Sequence, residues 1–283
     1  MAANAVIEPQ RLLDAANGLE PLPVSVTRLA TLVASDDYDA RDVVEVISFD
    51  PALTASILRA ANSASSAASK AVSTVHDAVV RLGGGPVLSI ATGGAVRSRL
   101  KQLEDPKHSG MDAWRHAVTA ALSSELVREV SPMYIPASAM TAALLHDVGK
   151  LVLAKALTPH MVHLIEQVAA AERLSTLQAE MAVLETHHGE LGAIAAEAWE
   201  LPEAITEAIR FHHTPWEASA PLATVVYIAD VVAHATVADD PYHRPDPTTV
   251  RALEVMEIVP DDYGNLITVA RERYVQLADR FAA

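Results

Sequence analysis

The sequence of 283 residues contains no cysteine. This absence excludes a disulfide framework, an iron–sulfur cluster, a thiolate zinc site and a cysteine nucleophile. A metal ion would therefore have to bind to histidine, aspartate or glutamate. The chain has twelve histidines, which are enough to make such a site worth tracing.

The chain also lacks an excess of positive charge and a long hydrophobic run. Its 36 acidic and 21 basic residues give a formal charge of −15, so no extended nucleic-acid surface is expected, because neutralising phosphates requires clustered Lys and Arg.

The uncharged stretches 82–96 and 130–145 contain glycine or proline and fall short of the roughly 20 apolar residues that span a bilayer. No basic patch precedes an apolar run at the amino terminus, so no secretory signal is predicted. We therefore expect a soluble cytoplasmic protein that does not contact a membrane.

The spacing of apolar residues predicts an all-α fold. Alanine is abundant, and apolar residues recur at intervals of three and four, the period of an amphipathic helix. Asp39 and Thr74 are expected to cap helices, Pro51 to begin one, and Gly83 to Gly85 to end a helix before Pro86 begins the next. The segment 238–248 is rich in Asp and Pro and is predicted to be a loop. Later helices are expected at about 112–130, 137–155, 158–172, 175–186, 188–199, 202–213, 219–238 and 261–281.

A polar stretch at 101–110, which contains Pro106 and Gly110, is the best candidate for a boundary. It divides the chain into an amino-terminal helical subdomain, 1–105, and a second helical subdomain, 106–283. The second contains the residues of chemical interest. We expect the amino-terminal bundle to pack on it.

The densest chemical signal is LLHDVGK, residues 144–150, where His146 and Asp147 are adjacent. Neighbouring side chains on a helix diverge by about 100°, so this pair could not hold one ion from the middle of a helix. Near a helix end, however, the aspartate can lie between two ions while the histidine binds one. The alternative is that this ionisable pair only caps the helix.

Four other places carry candidate ligands. They are His116 in an apolar helix, His188 in THHGELG, the pair His212 and His213, and Asp230 at the end of TVVYIAD. Each has a simpler explanation as a core, capping or surface residue, but that explanation would have to hold at every place. A further alternative is a pH-responsive cluster of imidazoles and carboxylates without metal.

The order of these residues resembles the HD superfamily of metal-dependent phosphohydrolases. The resemblance places His116, His146, Asp147 and Asp230 at the positions of the core metal ligands. It places His188, His212 and His213 where the two-metal branch, which includes the HD-GYP cyclic-di-GMP phosphodiesterases, adds further ligands. Lys150 matches a lysine that faces the phosphate in that branch. The Gly-Tyr-Pro element is absent, because the chain continues with Thr214, Pro215 and Trp216.

Six segments are similar to HDOD proteins, whose domain is the HD-related output domain of bacterial signalling. They are residues 19–33, 47–64, 72–84, 180–188, 192–213 and 228–230, and the resemblance extends over residues 15–240. It implies one all-helical module in which an amino-terminal bundle packs on an HD-like half. It also implies a regulatory role, with a signalling protein or a small nucleotide as the binding partner.

Two functions follow from these resemblances. The first is a signal-transduction output module that acts by binding, with an HD-type metal site. The second is a two-metal phosphodiesterase or nucleotide phosphohydrolase, in which Asp147 would bridge the ions and Lys150 would stabilise charge on the phosphate. Imidazole and carboxylate ligands suit one or two divalent ions of iron, manganese, zinc or nickel.

The carboxy-terminal stretch 261–281 raises the question of a homodimer. Leu266, Val269, Tyr274 and Leu277 lie at helical spacing and could form an intermolecular stripe. The alternative is that this helix packs on its own half of the chain.

Overall fold

The computed structural model describes residues 9–35, 37–48, 50–63, 72–100, 110–238 and 244–281. These residues form helices joined by turns, with no strand among them, which confirms the predicted all-α fold. The predicted boundary at 101–110 lies almost entirely outside the described residues. The division into 1–105 and 106–283 stays a prediction.

Six helices precede the gap at residue 101. Asp39 accepts hydrogen bonds from the backbone N–H groups of Arg41 and Asp42, and Thr74 accepts one from Asp77, so both predicted caps are present. The prediction for the glycines was partly wrong: Gly83 ends a helix with a φ of 82°, but the next helix begins at Gly84 and not at Pro86. The helices are α1 (Pro9–Asn17), α2 (Val24–Ala34), α3 (Ala40–Ser48), α4 (Pro51–Ser63), α5 (Val75–Leu82) and α6 (Gly84–Leu100).

Ten helices and two 3₁₀ turns follow residue 109 in the described part of the chain. The helices are α7 (Gly110–Val130), α8 (Ala139–Leu145), α9 (Gly149–Ala156), α10 (Pro159–Glu172), α11 (Thr176–Leu184), α12 (His188–Ala198), α13 (Glu203–Arg210), α14 (Leu222–Val237), α15 (Pro247–Val255) and α16 (Tyr263–Phe281). The 3₁₀ turns are Pro215–Glu217 and Pro260–Asp262.

Two predictions about these helices were wrong. The helix expected at 137–155 is divided into α8 and α9 by a turn at residues 146–148, where Val148 N–H donates to the carbonyl of Leu145. Helix α15 was not expected, and the predicted loop at 238–248 overlaps its first two residues. The sequence does contain residues that mark the start of this helix, because Asp246 caps it and Pro247 occupies its first turn.

The core centres on α7, which packs against α8, α14 and α16. One hydrophobic cluster contains side chains from Leu22 to Ala270 and therefore includes residues on both sides of the predicted boundary. Leu266 is buried, and Val269 and Tyr274 pack against this cluster. The described part of the predicted stripe thus packs on its own chain, while the side chain of Leu277 lies outside the described residues. A homodimer stays a prediction.

The first helix packs away from the helices that follow it in sequence. Leu12 and Ala16 of α1 join a second cluster with Val152 of α9 and Leu191 of α12. Lys155 of α9 donates a hydrogen bond of 2.5 Å to the carbonyl of Gly18, just after α1. Helix α1 therefore packs on α9 and α12, two helices of the second half.

Arg99 links the end of α6 to the segment between α1 and α2 by hydrogen bonds. Its guanidinium donates 2.8 Å hydrogen bonds to the carbonyls of Glu20 and Pro21 and lies 5.5 Å from the centre of the Trp199 ring. Its side chain is only 12% exposed. The Arg99 side chain is therefore packed against the chain and largely shielded from solvent.

No single helix in the described ranges is long and apolar enough to cross a membrane. Helix α5 and residues 84–99 of α6 pass that test of length and composition only when taken together, across a bend of 107°.

The crossing of α9 and α12 depends on Gly149, and this generates a prediction. A methyl group at Gly149 would overlap the carbonyl oxygen of His188 and lie 2.7 Å from Gly192 N. We expect Gly149→Ala to lower the free energy of unfolding by about 2–3 kcal/mol, because backbone atoms cannot yield to the added carbon. Urea unfolding followed by circular dichroism measures this change.

The matched control is Gly94→Ala. Gly94 is an exposed residue inside α6, and an added methyl group would meet nothing within 4 Å. This variant should be more stable by about 0.5–1 kcal/mol, because alanine favours the helical backbone. Equal unfolding midpoints for the two variants would contradict the prediction.

Candidate metal centre

Seven predicted site residues come together at the middle of the second half. They are carried by α7, by the turn between α8 and α9, by the start of α12, by the segment after α13, and by α14. In that order they are His116, His146 with Asp147, His188, His212 with His213, and Asp230.

A first group of side chains consists of His116, His146 and Asp230, all of them buried. Nε2 of His116 lies 3.2 Å from Nε2 of His146 and 3.0 Å from Oδ1 of Asp230. Nε2 of His146 lies 3.3 Å from the same carboxylate oxygen. Two imidazole nitrogens and one carboxylate oxygen therefore face a common point.

A second group consists of His188, His212 and His213. Nε2 of His188 lies 2.9 Å from Nε2 of His213, and the ring centres of His212 and His213 are 4.0 Å apart. One ligand atom from each of the three residues lies within 4.8 Å of the others. This group presents three imidazoles to one point.

Asp147 lies between the two groups. Its Oδ2 is 3.4 Å from Nε2 of His146 and 3.7 Å from Nε2 of His116, both in the first group. Its Oδ1 is 3.4 Å from Nε2 of His188, in the second. One carboxylate thus reaches both groups with different oxygens, which is the arrangement of a bridging ligand.

Three histidines are oriented by an acceptor on the far side of the ring. Nδ1 of His146 is 2.7 Å from the carbonyl of Ala143, and Nδ1 of His212 is 2.7 Å from that of Ile209. Because a carbonyl oxygen can only accept, each Nδ1 must carry the proton. Each Nε2 then faces the centre and can bind a cation once it carries no proton, as in histidines that bind metals.

His188 is oriented in the same way by a carboxylate. Glu180, on α11, is 3% exposed. Its Oε2 accepts hydrogen bonds from Nδ1 of His188 at 2.7 Å and from the backbone N–H of His188 at 2.9 Å. A carboxylate behind a histidine fixes the ring and makes its other nitrogen a better ligand.

Two buried atoms test whether these residues fit a metal ion. Nε2 of His212 has no hydrogen-bond partner. Oδ1 of Asp230 lies within 3.3 Å of three imidazoles, those of His116, His146 and His234, without the alignment of a hydrogen bond to any of them. Buried polar atoms are costly when unpaired, and a cation would satisfy both. The donor set fits one.

The carboxylates of the centre are ionised. Burial disfavours the charged form of Asp147, but Lys150 and His146 hold the pKa of this carboxyl well below its usual range. Burial likewise opposes ionisation of Asp230, and the imidazoles of His116 and His146 keep its pKa well below the usual value. Both side chains therefore offer anionic oxygens.

The imidazoles differ in charge according to their neighbours. Burial and the adjacent imidazole of His213 hold the pKa of His212 well below its usual value, and burial together with His188 lowers the pKa of His213 to about 4. Burial alone would lower the pKa of His146, but the carboxylates of Asp147 and Asp230 raise it to about 10. The potential at His146 is thus negative and favours any cation.

One edge of the centre is open to solvent, and Lys150 lies there. Its Nζ donates a 2.6 Å hydrogen bond to Oδ2 of Asp147, and its side chain is 45% exposed. His234, one helical turn after Asp230, lies at the centre with Nε2 3.3 Å from Oδ1 of that residue and is 65% exposed. A solute could therefore reach the centre from this side.

Sequence reasoning missed two residues. His234 could have been found from its spacing, because residues four apart share one face of a helix. Glu180 begins a segment, 180–188, that resembles HDOD proteins, but its role behind His188 depends on a contact between two helices.

Comparisons with known proteins bear on the family. A model of the HDOD domain matches residues 19–215. An uncharacterized protein of Treponema pallidum (strain Nichols) is 24% identical over 237 residues, which are 82% of this chain and 45% of that protein. The chain thus spans about half the length of this curated relative.

Several solved structures share the fold. An HDOD domain protein of unknown function from Geobacter sulfurreducens has a TM-score of 0.73 and 21% identity, covering 97% of this chain and 99% of its own. A candidate phosphohydrolase from Shewanella amazonensis SB2B has a TM-score of 0.71 and 24% identity, covering 94% and 98%. A candidate signal transduction protein from Marinobacter aquaeolei VT8 has a TM-score of 0.75 and 24% identity, covering 95% and 60%.

The family model covers more than half of the chain. It extends over α2 to α6 and over the segments that carry every candidate ligand except Asp230. This chain belongs to the HDOD domain family.

Proposed function

We propose that this chain is a bacterial signal-transduction module that holds two divalent cations and acts by binding a signalling protein or a small nucleotide. The observation that carries the metal part is the shared orientation of His146, His188 and His212. Each has Nδ1 engaged by an acceptor and Nε2 directed into the centre. Of the three, Nε2 of His212 has no hydrogen-bond partner in the protein, and a metal ion would supply one.

The residues divide naturally between two cations. The first group would hold one ion, the second group the other, and Asp147 would be shared. Imidazole and carboxylate donors suit iron, manganese, zinc or nickel. When bound, such ions lower the pKa of a coordinated water and polarise a phosphoryl oxygen.

The charge of the chain restricts how it could bind a nucleotide. A formal charge of −15 repels phosphates, so a phosphate ligand requires local cations. The Lys150 ammonium lies at the open edge of the centre, and the bound metal ions would supply the remaining positive charge. The metal centre is therefore the place where a nucleotide's phosphate would bind.

The regulatory part of the proposal rests on the family. The helices before residue 101 carry none of the candidate ligands, and a structural relative is a candidate signal transduction protein. A domain half without reactive groups is suited to binding. A location in the cytoplasm stays a prediction.

The first prediction from this proposal concerns metal content. Protein purified without chelator should contain about two divalent ions per chain. His213→Ala should reduce this to about one, because His213 reaches only the second group, whereas His212 also lies near His146 and Asp230. Asp147→Asn should reduce the occupancy of both positions. Inductively coupled plasma mass spectrometry measures the content.

His163→Ala is the control, because His163 is an exposed residue of α10 with 61% of its side chain accessible. Equal metal content in His163→Ala and His213→Ala would contradict the proposal. A chain that binds no metal, and whose histidines titrate near neutrality, would be the pH-responsive cluster instead.

A second prediction concerns Glu180, which positions His188 and does not itself face the centre. Glu180→Ala should weaken metal binding by about 10- to 100-fold, because the imidazole loses the partner that fixes its orientation. Chelator competition with Zn²⁺ or Mn²⁺ measures the affinity. Glu172→Ala, on the exposed face of α10, should retain the wild-type affinity, and a similar loss in both variants would refute the assigned role.

Hydrolysis of a phosphodiester is the second candidate function, and the position of Lys150 favours it. Its ammonium is bonded to the carboxylate that would bridge the ions, at the edge where a phosphate would enter. A cation there would stabilise the charge that develops on the phosphoryl oxygens. A purely structural metal centre has no need of this lysine.

If the chain is an enzyme, Lys150→Met should lower the turnover of bis(p-nitrophenyl) phosphate by about 100-fold while the metal content stays constant. Lys155→Met is the matched control, since Lys155 lies on the same helix but is bonded to Gly18. Metal-loaded wild-type protein that shows no turnover above the Lys150→Met variant would exclude hydrolysis of this substrate class and leave binding as the function.

A further inference from the structure

One of the three tryptophans lies on the surface. Trp114 and Trp199 are 6% and 3% exposed, whereas Trp216 is 48% exposed. A large aromatic side chain in water gives up the stabilisation that burial provides, and exposed tryptophan is typical of binding surfaces. The fold has no need to expose it.

Trp216 borders a shallow cavity with a volume of about 250 Å³. The cavity lies between the segment 215–221 and helix α15, and its other walls include Pro221, Arg251 and Val255. Val255 is 50% exposed. The guanidinium of Arg251 lies over the Trp216 ring, 5.1 Å from its centre, in a cation–π contact. The cavity suits one apolar side chain of moderate size.

Acidic residues lie next to the cavity walls in sequence. Glu217 follows Trp216, and Glu254 lies three residues after Arg251, on the same side of α15; both are exposed. Arg251 is the cation among the walls of the cavity, and it lies over the indole. An occupant with an apolar centre and basic flanks would match both the cavity and its border.

The surface is held in place by its own contacts. Ser219 donates from its backbone N–H and its hydroxyl to the two carboxylate oxygens of Glu207, at 2.8 and 2.9 Å. Pro215 and Pro221 restrict the backbone on either side. Binding would therefore order little additional chain, which favours affinity.

We propose that Trp216, Pro221, Arg251 and Val255 form a docking surface for a partner-protein segment that carries an apolar anchor flanked by lysine or arginine. This inference rests on the proposed role as a binding module and names the partner class. It does not depend on the metal centre. Tryptophan and arginine are the residues that most often dominate such interfaces.

Two synthetic peptides without tryptophan test the proposal on the full chain. They share a leucine anchor, and one has lysine flanks while the other has glutamate flanks. The lysine peptide should bind saturably by calorimetry and shift the tryptophan emission to shorter wavelength, since Trp216 is the exposed indole. Val255→Asp should weaken this binding by about tenfold or more. Val80→Asp, at a residue 63% exposed on α5, is the matched control and should bind as the wild type does.

Charge reversal separates local recognition from general attraction to an acidic protein. The double variant Glu217→Lys and Glu254→Lys should prefer the glutamate peptide, because only the border of the cavity has changed. Absence of saturable binding, or equal loss in Val80→Asp and Val255→Asp, would overturn the proposal.

Two other outcomes would assign a different occupant and also overturn it. Self-association in sedimentation that Val255→Asp abolishes would indicate a second copy of the chain. Quenching of Trp216 by GMP, without binding of either peptide, would indicate a nucleobase. Metal content is measured on each variant, so a failure here is distinguishable from a failure of the metal centre.

Discussion

The candidate centre depends on the position of Asp147 between two groups of imidazoles. A continuous helix would direct His146 and Asp147 about 100° apart. The turn between α8 and α9 removes this restriction, and both side chains face the same interior point. The glycine that follows lets α9 approach the carbonyl of His188 closely. The same turn thus brings together the bridging carboxylate and the helix that carries a ligand of the second group.

The remaining ligands of the centre are buried, and each needs a polar partner. Carboxylates and imidazoles removed from water are costly unless each polar atom has a partner. For His146 and His212 that partner is a backbone carbonyl three residues earlier, so the segment that carries each ring also orients it. For His188 it is Glu180 on another helix. The remaining unpaired atoms face inward, and together with two ionised carboxylates they create the negative potential that a cation requires.

The helices around this centre also contact the first half of the chain. Helix α1 packs on α9 and α12, and Arg99 ties the end of α6 to the segment after α1 while it lies against Trp199. The first half is therefore in contact with helices that adjoin the site. On another side, only two residues separate His213 from Trp216, so the proposed docking surface and the second group of ligands share one segment. A partner and a metal ion would contact the same part of the fold.

The amino-acid sequence by itself determined the helical class, several helix ends and the chemistry of the ligands, because helical periodicity, capping and residue type are local properties. The caps at Asp39 and Thr74, and the separated histidines and aspartates, could be read directly from the printed chain. The tertiary structure alone decided that Glu180 stands behind His188 and that α1 packs on the second half. These features arise from contacts between residues far apart in sequence, where packing and the pairing of buried polar atoms outweigh local preference.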